Sequence, residues 1–98
     1  MKEIEKSNLK TFKILLSGRV QGVGFRYFAE DRAFKHNIKG YVRNTRDNKV
    51  EVVCQGLKKD LDFFISEIKR GPAFCRVTGF DIQELNNFTI YDSFEIKF

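Results

Sequence analysis

Apolar and polar residues alternate or recur along this chain in a way that predicts most of its elements. Over residues 10–17, Phe12, Ile14 and Leu16 alternate with Thr11 and Lys13, the period of a strand. Leu15 adds partial burial on the second face. Over residues 25–36, Phe25, Phe28, Ala29 and Ala33 recur at helical spacing with His36 at the edge. Asn37 is expected to end that helix, because Asn tolerates the left-handed conformation just past a last turn. Residues 40–44 form a short strand, residues 45–48 a turn rich in Asp and Asn, and residues 50–54 the returning strand, stopped by Gly56. Leu61, Phe64, Ile65 and Ile68 stand at i, i+3, i+4 and i+7, and Lys69-Arg70-Gly71-Pro72 supplies cations, a glycine and a breaker at the helix end. Residues 76–85 alternate again, and Phe94, Ile96 and Phe98 mark a final edge strand.

The order is strand, helix, strand, strand, helix, strand, with a short extra strand. Two helices on one face of an antiparallel sheet give an α+β, ferredoxin-like two-layer sandwich, βαββαβ plus the short C-terminal strand. Phe28, Phe64, Phe80, Phe88 and Phe94 read as core or edge packing. The polar residues 1–9 lack a period and are expected to form a frayed extension to a single domain over residues 10–98.

Composition narrows this picture. Ninety-eight residues suffice for one core, and eleven Phe with no Trp make that core phenylalanine-rich. A net charge of +5 and a pI near 9.4 favour anionic ligands. Because Lys and Arg are scattered, a local anion site is expected rather than a nucleic-acid surface. Cys54 and Cys75 have no metal-ligand spacing and read as reduced thiols. No secretory leader and no run of about 20 apolar residues is seen, so the expectation is a cytoplasmic protein without a membrane partner.

Candidate chemistry concentrates in residues 18–26, Gly18-Arg19-Val20-Gln21-Gly22-Val23-Gly24-Phe25-Arg26. A glycine-rich turn between a strand and a helix leaves backbone N–H groups aimed at one point, and the helix N-terminus adds partial positive charge. Arg26, in the first helical turn, brings a planar fork able to grip two phosphate oxygens. The loop lacks the third glycine of a dinucleotide fingerprint and the Gly-Lys-Ser/Thr of a nucleotide P-loop. The expected ligand is therefore a phosphate or small oxyanion. Arg19, Arg43 and Arg46 read as surface charges that steer anions, His36 as a helix-end residue, and Lys58-Lys59 as a solvated loop.

Gly18-x-Val20-Gln21-Gly22-Val23-x-Phe25-Arg26 resembles the first signature of the acylphosphatases, and Gly40-Tyr41-Val42-Arg43-Asn44, with Val50 and Gly56 following, resembles the second. Gly71-Pro72 and the segment from Phe94 to Phe98 are weaker family-like features, so the resemblance spans residues 10–98. It implies hydrolysis of the carboxyl–phosphate anhydride of acyl phosphates, with no metal, no cofactor and no covalent phosphoenzyme. It implies that Arg26 and Asn44 are catalytic and that Arg19, Val20, Gln21, Gly22, Val23, Gly24, Phe25 and Arg26 hold the phosphate. Gly18 and Thr45 support them. The implied partners are a small-molecule acyl phosphate and inorganic phosphate, bound by a monomer. Asn37 and Asn48 stand where the family usually has Gly, at positions expected to need positive φ.

On this reading Asn44 orients a water molecule, since an amide is no base near neutral pH, and the proton passes to the substrate phosphate. Two other readings compete. One is a non-catalytic acylphosphatase-like module that binds an anion or a partner. The other is an RNA-binding ferredoxin-like domain, disfavoured because the strand at residues 50–54 carries no aromatic for base stacking.

Overall fold

The computed structural model describes residues 8–86 and 89–98. Most of the expected N-terminal extension, and Phe88, lie outside the described residues. The elements follow as β1 (Lys10–Arg19), α1 (Phe25–Lys35), β2 (Lys39–Asn44), β3 (Val50–Gly56), α2 (Lys58–Arg70), β4 (Arg76–Glu84) and β5 (Phe94–Lys97). The sheet order is β4-β1-β3-β2-β5. β1 pairs antiparallel with β3 and β4, and β2 with β3.

β5 departs from the expected all-antiparallel sheet. It runs parallel to β2, with Gly40 opposite Phe94 and Arg43 opposite Lys97. The cause is the route of the chain. β4 ends at the end of the sheet where β2 begins, and β5, reached by a crossing to the far edge, starts at that same end, so it runs in the direction of β2. Gln55 fixes that crossing. Its buried amide donates to Thr11 Oγ1 at 2.9 Å and to the Thr89 carbonyl at 2.7 Å, and its Oε1 accepts from the Tyr91 N–H at 3.0 Å.

The core lies between the sheet and the two helices. Ile14, Leu16, Val42, Val50, Val52 and Cys54 from the sheet meet Phe25, Ala29, Ala33, Leu61, Phe64 and Ile68 from the helices. Each large apolar side chain buried there contributes about 1.5–3 kcal/mol relative to exposure. Ile65 lies at the edge of this face, half-buried. β3 ends at Gly56, as expected, with Gly56 still paired opposite Lys10. Lys58 and Lys59 are the first residues of α2 rather than a loop; Lys is a good helix former, and Lys58 pairs with Asp62 at 3.0 Å one turn on. Asn37 ends α1 at φ 57° and Asn48 closes the hairpin at φ 66°, the left-handed conformation in both places.

On the open face of the sheet, Glu51 is buried and held by three neighbours. It accepts from Arg43 Nε at 2.8 Å and from the Tyr41 hydroxyl at 3.0 Å, and Lys13 Nζ lies 3.5 Å away. Burial pushes its carboxyl up, but the hydrogen bonds from Arg43 and Tyr41 outweigh that and hold it below the usual carboxylate range. No helix of the described residues is long and apolar enough to cross a membrane.

Candidate active site

The C-terminal ends of β1, β2 and β5 and the start of β4 all lie at one end of the sheet, a consequence of the strand directions above. Residues 18–26 form the turn there. At Gly18 the register of β1 against β4 slips, and a Cβ would stand 2.1 Å from the Arg76 carbonyl oxygen, so only glycine fits. Val20 is fully buried beneath the turn, and Phe25, also buried, anchors its other end in the core.

Gly24 caps α1 at φ 77°, with no side-chain cap. The first backbone bond into the helix is Phe28 N–H to the Gly24 carbonyl at 3.0 Å. Amides ahead of Phe28 are therefore left over at the helix N-terminus, where its dipole is positive. No Asp or Glu stands in the first turn to occupy them.

Arg26 is half-buried, with its guanidinium carbon 4.8 Å from the centroid of the Phe98 ring. That contact ties Arg26 to β2. Lys97 pairs with Arg43, so Phe98 comes next to Asn44, the last residue of β2. By strand alternation Asn44 shares the helix-side face with the buried Val42. Among the described residues Arg26 has no carboxylate partner and the Asn44 side chain has no hydrogen bond. The Phe98 contact was not legible in the sequence, where Phe98 signals only strand alternation.

Gln21 makes a second tie. Instead of pointing its amide into the turn, it donates to the carbonyls of Thr45 at 2.9 Å and Lys49 at 2.8 Å. It thus fastens the glycine turn to the β2–β3 hairpin that begins at Asn44. Thr45 works within that hairpin. Its N–H donates to the Lys49 carbonyl at 2.9 Å, its Oγ1 accepts from the Lys49 N–H at 3.0 Å, and its hydroxyl bonds Asp47, whose carboxyl is thereby held below the usual range.

Arg43 does not face the turn. Its fork is taken by Glu51 on the opposite face of the sheet, so it is a fixed ion pair and not a steering charge. Arg19 and Arg46 are exposed at the same end as the turn, Arg19 opposite Arg76. His36 sits past the end of α1, 3.0 Å from Glu67 and stacked on Phe63, away from the turn. A cavity of about 520 Å³ beside α1 and β5 is lined by Glu30 and Asp31 as well as Phe34 and Phe94. It includes no residue of the turn.

The segment between α2 and β4 flanks the turn on the other side. A Cβ on Gly71 would lie 3.0 Å from the Phe25 ring, and a four-residue turn closes from the Cys75 N–H to the Pro72 carbonyl at 3.3 Å. Inside that turn Phe74 adopts φ 70°. For a residue with a Cβ this region costs about 1–2 kcal/mol.

A family profile described as Acylphosphatase matches residues 12–96. The acylphosphatase of Oceanobacillus iheyensis is 40% identical over 91 residues, which cover 92% of this chain and 100% of that one. The acylphosphatase of Bacillus licheniformis is 39% identical over 87 residues, 89% of this chain and 97% of its own. The crystal structure of acylphosphatase from Bacillus subtilis superposes with a TM-score of 0.86 at 36% identity, covering 92% of this chain and 99% of that one.

Proposed function

The chain belongs to the acylphosphatase family and hydrolyses acyl phosphates, and we propose that it does so with Arg26, Asn44 and the free amides among residues 19–26, the Val20 N–H being taken by the Gly18 carbonyl at 3.1 Å. The phosphoryl group rests on the amides left over ahead of Phe28, with the Arg26 fork on two of its oxygens. Asn44 orients a water molecule for in-line attack. The transition state is loose, with charge spread over the phosphoryl oxygens, so fixed donors at those oxygens supply most of the rate. As the water oxygen bonds to phosphorus, the bond from phosphorus to the acyl oxygen breaks and the carboxylate leaves with the electron pair. A carboxylate is a weak base and needs no general acid. The proton of the attacking water passes to a phosphoryl oxygen, and inorganic phosphate is released.

The observation that supports this reading is that Arg26 lies against Phe98, the residue that the β2–β5 register brings beside Asn44, while Gln21 ties the glycine turn to the hairpin that begins at Asn44. The protein is read as a monomer of one domain over residues 10–98. Residues 50–54 offer no base-stacking aromatic, so no nucleic-acid partner is proposed. Two unpaired cysteines suit the cytoplasm.

The test is hydrolysis of benzoyl phosphate in EDTA by wild type, Arg26→Ala, Asn44→Ala and Asn44→Asp. Turnover by wild type is expected, with losses on the order of 10²–10³ or more in each variant. Asn44→Asp sets a negative charge beside the phosphate and is expected to be as slow as Asn44→Ala. Wild-type speed in Asn44→Asp would refute the role given to the amide. Phosphate binding without turnover by wild type would instead mark a non-catalytic module.

A further inference from the structure

Resting on that reading of the phosphate site, we propose that Phe74 determines specificity by holding the acyl side of the substrate, and that it favours aromatic and bulky apolar acyl groups. In-line displacement places the attacking water and the departing carboxylate on opposite sides of phosphorus. The water is held from β2, where Asn44 ends the strand. In the order β4-β1-β3-β2-β5 the glycine turn follows β1, so the side opposite Asn44 is that of β4. The segment leading into β4 carries Phe74.

Three features of Phe74 call for a role outside packing. It is 88% exposed, and among the described residues its ring meets no other aromatic and no cation. Its backbone is held at positive φ, a conformation that elsewhere in this chain falls to Gly or to the tolerant Asn37 and Asn48. Its segment is anchored next to the site, against Phe25 at Gly71 and opposite Arg19 at Arg76. Phe34 and Phe98 are as exposed, but Phe34 sits on the ordinary backbone of α1, near the end of the helix away from the turn, and Phe98 is already engaged by Arg26. With its positive φ and its exposed ring, Phe74 stands at the end of the sheet that carries the glycine turn, on the β4 side, where the acyl group would project.

The test compares benzoyl phosphate with acetyl phosphate in wild type, Phe74→Asn and Phe74→Tyr. Asn accepts the positive φ, so Phe74→Asn is expected to fold and to melt a few degrees above wild type. For benzoyl phosphate its kcat/KM is expected to fall about tenfold, the worth of one aromatic pair, while acetyl phosphate changes by less than about twofold. Phe74→Tyr is expected to keep the wild-type ratio of the two substrates. Brisk hydrolysis of both with an unchanged ratio in Phe74→Asn would overturn this inference alone. If wild type hydrolyses neither substrate, the phosphate-site reading falls and this inference falls with it.

Discussion

Replacing Gln21 by Met keeps the length and most of the packing of the side chain but removes both hydrogen bonds that fasten the glycine turn to the hairpin. The two lost bonds, at 2.9 and 2.8 Å, are not equivalent. The Lys49 carbonyl retains the Thr45 N–H at 2.9 Å, whereas the Thr45 carbonyl loses the only protein donor found for it among the described residues. At about 1 kcal/mol per bond, the variant should lose roughly 1–2 kcal/mol of stability. For a domain of this size that is a fall in Tm of roughly 5–15 °C. The catalytic effect should be larger in proportion, because the bridge sets the distance between the groups on phosphorus and the amide that holds the water. A misplacement of about 1 Å can cost on the order of 10²-fold. The assay is steady-state hydrolysis of benzoyl phosphate together with inhibition by inorganic phosphate. A bridge predicts a fall in kcat with phosphate inhibition unchanged, since the amides and Arg26 remain. A kcat within about twofold of wild type would refute the bridge. Phosphate inhibition weakening in step with the rate would mean that Gln21 touches the phosphate itself.

Two further predictions concern the rest of the sheet. The Glu51 carboxyl is depressed in the folded protein, so its contribution is present above the ordinary Glu value of about 4.3 and is lost as pH falls through the lower folded value. The stability gap between wild type and Glu51→Gln, read from urea midpoints, should be widest near neutrality and shrink below about pH 4; a gap that stays flat into acid would contradict the Arg43 and Tyr41 bonds. Burial pushes the Cys54 thiol up to about 12, whereas Cys75 is only partly buried. Iodoacetamide on the native protein should label Cys75 and reach Cys54 only in denaturant, and equal labelling of both would show that the Cys54 region opens.

Most elements were legible because each burial pattern is local. α2 shows its apolar face at helical spacing and its stop signals in order, and β1 alternates cleanly. Asn37, past a helix end, and Asn48, in a hairpin turn, take the positive φ that Asn tolerates. The errors share a different origin. The parallel pairing of β5 depends on which end of the sheet the chain crosses at, and there Gln55, on a distant strand, holds Thr89 and Tyr91. Arg43 was read as a free cation because its partner Glu51 lies on the next strand, and register cannot be counted from one strand alone. Lys58 and Lys59 were read as loop because the residue before α2, Leu57, is an N-cap with no capping side chain to announce the helix. Within the candidate site, the glycine turn, Arg26 and Asn44 are a motif and could be read. The Gln21 and Phe98 contacts are long-range, and a Gln among glycines or a Phe on an edge strand does not announce its partner.

The strand order also bears on how the molecule assembles. Phe12 must find Glu84 and Gly40 must find Phe94, pairings that close long stretches of chain before they return any energy, so folding is expected to be slow for a chain this short. On the proposed site, the cradle would be complete once β5 docks and sets Phe98 against Arg26. During refolding, enzymatic turnover should therefore return after helical circular dichroism, making catalysis a reporter of the last strand to arrive.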